Sequence, residues 1–194
     1  MTEREKMLAG KLYDCGDPEL LAQWHRAKNL VRDFNLTQSE DLKEKERILT
    51  DLLGGRGQNL WITPPFYVDY GNNIYFGNNC EVNMNCTFLD ANRIMIGDNA
   101  LIAPNVQIYT AFHPTNAKDR FGEVKEDGSF EFCKTQTAPV VIGRNVWIGG
   151  GVIIMPGVTV GDNVVIGAGS IVTRDIPSDK IAYGAPCRVI RDNR

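Results

Sequence analysis

Residues 140–173 read VVIGRN, VWIGGG, VIIMPG, VTVGDN, VVIGAG, SIVT when written in sixes. Ile142, Ile148, Ile154, Val160, Ile166 and Val172 recur at that fixed spacing. Two places before each stand Val140, Val146, Val152, Val158, Val164 and Ser170, and glycine follows four of the first series, at Gly143, Gly149, Gly161 and Gly167. A period of six is neither the helical period nor simple strand alternation between hairpin turns. On an extended strand, residues two apart share a side. Each unit therefore supplies a short strand with two inward side chains and a turn rich in Gly, Asn or Asp, residues that accept a left-handed backbone. Hexapeptide repeats are a β-helix signature. Three units close one coil, so Ile142 is expected to stack on Val160 and Ile148 on Ile166, each coil burying its aliphatics against the next.

Upstream the sixes continue less cleanly through Phe76, Val82 and Phe88, then Ile96, Ile102 and Ile108. The step from Phe88 to Ile96 is eight, which places two inserted residues near Asp90–Asn92. The step from Ile108 to Ile142 is 34, not a multiple of six, so residues 109–138 are read as a polar, aperiodic loop thrown out of the coil. Long loops in regular scaffolds are usually functional or disordered. Residues 1–58 are read as a helical cap and 59–194 as the β-helix, with a tail over 174–194. Thr2–Glu5 fits a capping box, and Asp17–Pro18 an N-cap with proline in the first turn. Leu20, Leu21, Trp24, Ala27, Leu30, Val31 and Phe34 mark one helical face. Thr37–Glu40 predicts the start of another helix, with Leu42, Leu49, Leu52 and Leu53 on its apolar side and Gly54–Gly55 ending it. Trp61–Tyr70 reads as extended, and Tyr183–Ile190 closes the chain with one more strand.

The chain of 194 residues carries a net charge of −3, so no global basic field attracts nucleic acid. No apolar run reaches the length of a membrane span, and the charged start MTEREKMLAGK lacks the apolar core of a secretory signal; the expected location is the cytoplasm. The five cysteines are scattered without a CxxC pair, which argues against a disulfide framework or structural zinc. Cys80 and Cys86 fall in the coil register as small core residues.

His113, at the base of the extruded loop, is the sharpest candidate for chemistry. A neutral imidazole is a proton acceptor near pH 7, though a lone histidine is more often structural or exposed. His25 reads as a solvated residue off the apolar helix face. With only two histidines, a three-histidine zinc site is poorly supported. There is no serine nucleophile elbow, P-loop or dinucleotide fingerprint. Gly149–Gly151 can be turn chemistry alone, or a place where a ligand approaches free backbone N–H groups.

IGDN at 96–99, LIAPNV at 101–106, His113–Pro114, the repeat itself, the closing GAPCRVIR and the N-terminal EKMLAGKLYD together resemble the galactoside and maltose O-acetyltransferases, over nearly the whole chain. The resemblance implies a left-handed parallel β-helix, whose handedness breaks the usual crossover rule. It also implies a homotrimer with sites between subunits, and acetyl transfer from acetyl-CoA to a sugar hydroxyl with no metal. His113 matches the family's base and Gly150 the backbone donor facing the thioester oxygen. Asn83 matches the acceptor-site asparagine; its other reading is a turn residue. Trp147 matches a tryptophan lining the cofactor channel. Ala168, Thr173 and Arg174 match pantetheine and phosphate contacts, with Arg188 and Arg191 reaching the nucleotide phosphates.

The departures gather on the acceptor side. The family's cap aspartate falls near Asp14, but gapless alignment puts Cys15 there, leaving Asp14 and Asp17 both open. Asp69 resembles the maltose enzymes, Ala91 replaces an acceptor-binding aspartate, and Glu81 stands where an aromatic is usual. The loop is longer than in the galactoside enzyme. Two alternatives follow: an acetyltransferase with a non-sugar acceptor such as an antibiotic hydroxyl, and a non-catalytic trimeric scaffold.

Overall fold

The computed structural model describes residues 1–126, 128 and 130–193; Asp127 and Ser129 of the predicted loop lie outside the described residues. The chain winds into a left-handed parallel β-helix with three faces. The first face stacks Gly55–Arg56, Ile74–Phe76, Ile94–Ile96, Val140–Ile142 and Thr159–Val160. The second stacks Trp61–Ile62, Glu81–Val82, Leu101–Ile102, Trp147–Ile148, Val165–Ile166 and Lys180–Gly184. The third stacks Phe66–Val68, Cys86–Leu89, Gln107–Tyr109, Ile153–Ile154 and Ile171–Val172.

The expected pairs hold: Ile142 lies beside Val160 and Ile148 beside Ile166. The inward columns run Phe76, Ile96, Ile142, Val160 on the first face, Val82, Ile102, Ile148, Ile166, Ala182 on the second, and Val68, Phe88, Ile108, Ile154, Val172 on the third. All of these are buried, as are the six residues two places before each repeat aliphatic, Ser170 included, and Cys80 and Cys86. Burial of this continuous column is the main source of stability.

Between the first and second faces the turn asparagines do more than accept positive φ. Asn59, Asn79, Asn99, Asn145 and Asn163 all have φ of 56–58°, and their side-chain amides form a ladder, each donating to the next at 2.9, 3.1, 2.9 and 2.9 Å and ending on Asp179 at 2.8 Å. Stacked identical side chains at one register thus tie consecutive coils outside the backbone ladder.

Trp147 pairs with Val165, a coil of 18, whereas Trp61, Glu81 and Leu101 pair in coils of 20. The two extra residues fall at the corner between the third and first faces, at Asp90–Asn92 as the spacing predicts, and the same step recurs one coil earlier between Val68 and Phe76. This widened corner carries buried Asn73, Asp90, Asn92 and Thr110, and the cap docks on it.

Helix α1 (Glu3–Leu8) has the Thr2–Glu5 capping box, and α2 (Pro18–Leu36) is capped by Asp17, as expected. Helix α3 spans Leu42–Leu52. The predicted capping box at Thr37–Glu40 is a correction: Thr37 instead closes α2, its N–H and hydroxyl both donating to the Asp33 carbonyl at 3.0 and 2.7 Å, while Asp41 caps α3 by accepting from Glu44 N–H at 3.0 Å. On α2, Leu20, Ala27, Val31 and Phe34 are buried, but Leu21 is exposed and Trp24 only half-buried. Leu42 is also exposed; Ile48, Leu49, Leu52 and Leu53 form the buried side of α3.

Two further readings are corrected. The N-terminal segment is not wholly helical, because Tyr13–Asp14 forms a strand, and the extruded loop is not structureless. Lys134–Thr137 pairs antiparallel with both Tyr13–Asp14 and Ala111–Phe112, making a small separate sheet that ties loop to cap. A short helix α4 (Ala117–Arg120) lies within the loop. The tail closes with two antiparallel strands, Lys180–Gly184 and Cys187–Asp192, rather than one. Among the described residues no helix is long and apolar enough to cross a membrane.

Candidate active site

The wide corner positions the first cluster of candidates. Thr110 anchors the loop's start: its N–H and hydroxyl both reach the Leu89 carbonyl, and its own carbonyl accepts from Ala138 N–H at 2.8 Å. Asn92 donates to the Met7 and Leu8 carbonyls at the end of α1, both at 3.3 Å, and to Thr137 Oγ1 at 2.8 Å. Coil, cap and loop are thereby joined around a cavity of about 350 Å³ lined by Tyr13, Cys15, Leu21, Trp24, His25, Asp69, Tyr70, Ala91, Ala111, His113, Cys133 and Thr135.

His113 stands at its rim, exposed. Its Nδ1 lies 2.9 Å from the Lys134 carbonyl and 3.5 Å from Thr135 Oγ1. A carbonyl only accepts, so Nδ1 carries the proton and Nε2 presents its lone pair, the tautomer a general base needs. Asp69 lines the same cavity, with its carboxylate 3.2 Å from Lys28 Nζ, which itself sits 4.8 Å from the centre of the Trp24 ring. His25 is exposed, as expected, but its ring meets Trp24 edge-on and borders the cavity.

Asp90 organises this corner from beneath. Fully buried, it accepts from the N–H groups of Asp69 and Tyr70 on one oxygen, at 3.0 and 2.9 Å, and of Asn73 on the other at 3.3 Å. Burial pushes its carboxyl up to about 7; the N–H donors pull the other way, and the neighbouring Asp69 charge adds to the rise. A raised acid pKa favours folding fully below the unfolded value and loses that contribution as pH climbs through the folded one. Asp90 therefore makes the protein less stable at pH 8 than at pH 5, by about 2–3 kcal/mol. Thermal melts of the wild type and Asp90→Asn at the two pH values check this: the variant's pH slope is expected to be smaller, and an unchanged slope would rule Asp90 out as its source.

The two cap aspartates are not brought into the cavity. On the strand Tyr13–Asp14, alternation turns Tyr13 and Cys15 inward and Asp14 away. Asp14 accepts from Gly16 N–H at 2.8 Å and pairs with Lys125; burial raises its carboxyl, but Lys125 and Gly16 outweigh that and hold it below the usual range. Asp17 is occupied as the α2 cap, accepting from Glu19 N–H at 2.9 Å. Cys15 instead lines the cavity. Burial, then the adjacent Cys133 thiol, push its thiol up to about 11, so it stays protonated and a poor nucleophile near neutrality.

The second cluster lies on the opposite edge of the third face, at the corner it shares with the second face. Asn83 and Trp147 line a groove of about 190 Å³ with Glu81, Leu101, Ala103 and Pro104. Asn83 Oδ1 accepts from the N–H of Met84 at 2.8 Å, a turn contact that leaves its amide NH₂ for a ligand. Trp147 is 55 % exposed. Gly150 follows in the same corner: Gly149 and Gly151 donate to Ile166 and Pro104, whereas the Gly150 N–H has no partner among the described residues. The Ala168 backbone packs against Gly149, whereas Thr173 and Arg174 lie exposed past the last third-face strand, at the corner with the first face, on the edge that carries His113 rather than on the groove's. Arg188 and Arg191 sit on the exposed closing strand. A cavity of about 710 Å³ beside α3 and the first coil contains none of the candidate residues.

A family model described as the maltose acetyltransferase hexapeptide capping motif matches residues 6–57, and six repeats of the bacterial transferase hexapeptide match residues 139–174. The galactoside O-acetyltransferase of Escherichia coli strain K12 is 42 % identical over 192 residues, covering 99 % of this chain and 90 % of that one. The chain belongs to the galactoside and maltose O-acetyltransferase family. In its fold it is similar to a maltose O-acetyltransferase from Clostridium difficile 630, with a TM-score of 0.91 and 48 % identity over 100 % of this chain and 98 % of that one. It is also similar to a galactoside acetyltransferase solved with coenzyme A, with a TM-score of 0.90 and 41 % identity over 100 % and 92 % of the two chains. As a family member it is an acyltransferase. Among the described residues no group of histidine, cysteine and carboxylate side chains could hold a metal ion.

Sequence reading missed Tyr13, Tyr70 and Trp24 as cavity residues. The signal available was the width of the α2 stripe: Leu21 and Trp24 extend it beyond what the core needs.

Proposed function

We propose that this protein transfers the acetyl group of acetyl-CoA to a hydroxyl of a sugar by direct attack, with His113 as general base. The observation that carries the reading is His113 at the rim of a monosaccharide-sized cavity, its Nδ1 fixed by the Lys134 carbonyl so that Nε2 is free to accept a proton. Acetyl-CoA supplies the activated acyl group. The acceptor oxygen bonds to the acyl carbon as its proton passes to Nε2; the carbon–sulfur bond breaks and the thiolate takes the proton back from the imidazolium. Among the described residues the thiols lining the cavity are Cys15 and Cys133, and the protonated state of Cys15 argues against a route through an acylated Cys15.

The groove around Trp147 fits the donor. Gly150 offers an unpartnered N–H for the charge that builds on the carbonyl oxygen, a contribution of about 10²–10³ in rate. At Gly151 nothing lies within 4 Å of where a side chain would be, so a ligand can reach the backbone. Trp147 and Ala168 wall the pantetheine arm at this corner, Thr173 meets the donor from the third face's other edge, and Arg174, Arg188 and Arg191 are exposed cations for its phosphates. Asn83 orients the acceptor. Because His113 and the Gly150 groove occupy opposite edges of one face, a single chain does not place the base beside the thioester. A homotrimer with each site between two subunits does, one supplying the His113 cavity and its neighbour the groove. We assign the protein to the cytoplasm, where acetyl-CoA is made available.

Calorimetry with acetyl-CoA, followed by a thiol-release assay over sugars and hydroxyl-bearing antibiotics, tests the reading. Expected are saturable acetyl-CoA binding and CoA release with a sugar. Release with an antibiotic and no sugar would replace the acceptor, and absence of acetyl-CoA binding would favour the scaffold reading.

A further inference from the structure

Two phenols in the cavity are used by nothing described so far. Tyr13 and Tyr70 are 5 % and 6 % exposed, both line the cavity that His113 rims, and neither hydroxyl has a hydrogen-bond partner among the described residues. Neither oxygen is sealed in protein; the described buried side-chain atom without a partner is Asn72 Oδ1, elsewhere. A buried phenol normally finds a partner, so hydroxyls left open toward a cavity are aimed at something that enters it. Both belong to one buried cluster with Met7, Leu20 and Ala91, and Asp69 lines the cavity with them. Tyr70 is held there by its backbone N–H on Asp90 at 2.9 Å, and Tyr13 by pairing with Thr135, next to the Lys134 carbonyl that fixes His113.

The charges around them are settled. Asp69 faces Lys28 at 3.2 Å, Asp14 is turned onto Lys125, and Cys15 and Ala91 are uncharged. Leu21 and Trp24 supply the apolar wall. The cavity thus offers neutral donors and acceptors opposite an aromatic surface, and no uncompensated carboxylate for a cation.

Building on the acetyltransferase reading, we infer that Tyr13 and Tyr70 form the acceptor-specificity subsite, binding hydroxyls of the acceptor other than the one acetylated and selecting a neutral polyhydroxylated ring over an aminated one. Burial raises both phenols above their usual range, so they remain neutral and able to donate throughout the working pH range. An acceptor lacking a matched hydroxyl leaves a buried phenol unpaired, which is how sites built for hydrogen bonding reject such analogues.

The test uses full-length Tyr13→Phe, Tyr70→Phe and the double variant with the best neutral sugar found for the wild type, its monodeoxy derivatives and its 2-amino-2-deoxy analogue. Each single variant is expected to lose about tenfold in kcat/KM for the sugar, with acetyl-CoA affinity unchanged by calorimetry and an unchanged melt, since phenylalanine keeps the ring packing. One monodeoxy sugar should cost the wild type about tenfold and the matching Phe variant little more. The amino analogue should be used about tenfold less well than its parent. Wild-type kcat/KM in both variants, or a deoxy penalty that is the same with and without the phenol, overturns the subsite while leaving the acetyltransferase reading standing. Thiol release with amines and with no neutral sugar overturns both.

Discussion

Replacing His113 by alanine is expected to lower kcat for the best acceptor by about 10²–10⁴, the usual contribution of a general base. The side chain is exposed and its one short contact is Nδ1 to the Lys134 carbonyl at 2.9 Å. Little folding free energy rests on it, and the melting temperature should stay within a degree or two of wild type. Acetyl-CoA binding should be retained as well, because the groove lined by Asn83 and Trp147 lies at another corner of the coil. Loss of turnover with binding and stability intact is the signature of a group acting on the reacting proton. His113→Gln sharpens the point: its amide can still donate to the Lys134 carbonyl but cannot serve as a base near neutrality, so it should be as inactive as alanine. Thiol release unchanged in either variant would falsify the assignment.

The period of six made the coil readable because it repeats the same local instruction: two inward aliphatics and a turn. Ile142 on Val160 follows from that arithmetic alone. The small antiparallel sheet was not readable, because strands of two to four residues carry no periodicity of their own. Tyr13 pairs with Thr135 across 122 positions of chain, and nothing local to either announces the other. The same gap decided the cap residues. Alternation along a strand makes a one-residue offset a change of face, so Asp14 and Cys15 could not be told apart until the strand was seen. Asp17 shows a different limit: one residue had two legible uses, and the helix terminus took it. His113 was legible because a titratable side chain at a break in a regular scaffold stands out. Tyr13 and Tyr70 were not, since an aromatic near a helical cap looks like core until its hydroxyl is found without a partner.

Gly149→Ala is expected to be strongly destabilising. A side chain there would place its first carbon 2.5 Å from Ala168 N, and 2.9 Å from both Ala168 Cα and the Ile166 carbonyl oxygen. All three are backbone atoms of the next coil, so no rotamer relieves the contact. Gly149 also donates to that Ile166 carbonyl at 2.8 Å, and separating the coils breaks the bond that sets their spacing. Overpacking costs about 1–3 kcal/mol and occasionally more, and a lost ladder bond about 1 kcal/mol. At about 2–4 °C per kcal/mol for a chain of this size, the melt should fall by roughly 5–15 °C. Gly150→Ala is the matched control. Its added carbon meets only the Pro104 carbonyl oxygen, at 3.3 Å, so stability should change little while thiol release falls as the methyl crowds the open N–H. The pair separates two roles that one run of three glycines conceals: the first lets two coils approach, the second lets a substrate approach. A Gly149→Ala melt within a degree of wild type would show that the coils can part here at no cost, and the close-approach argument would fail.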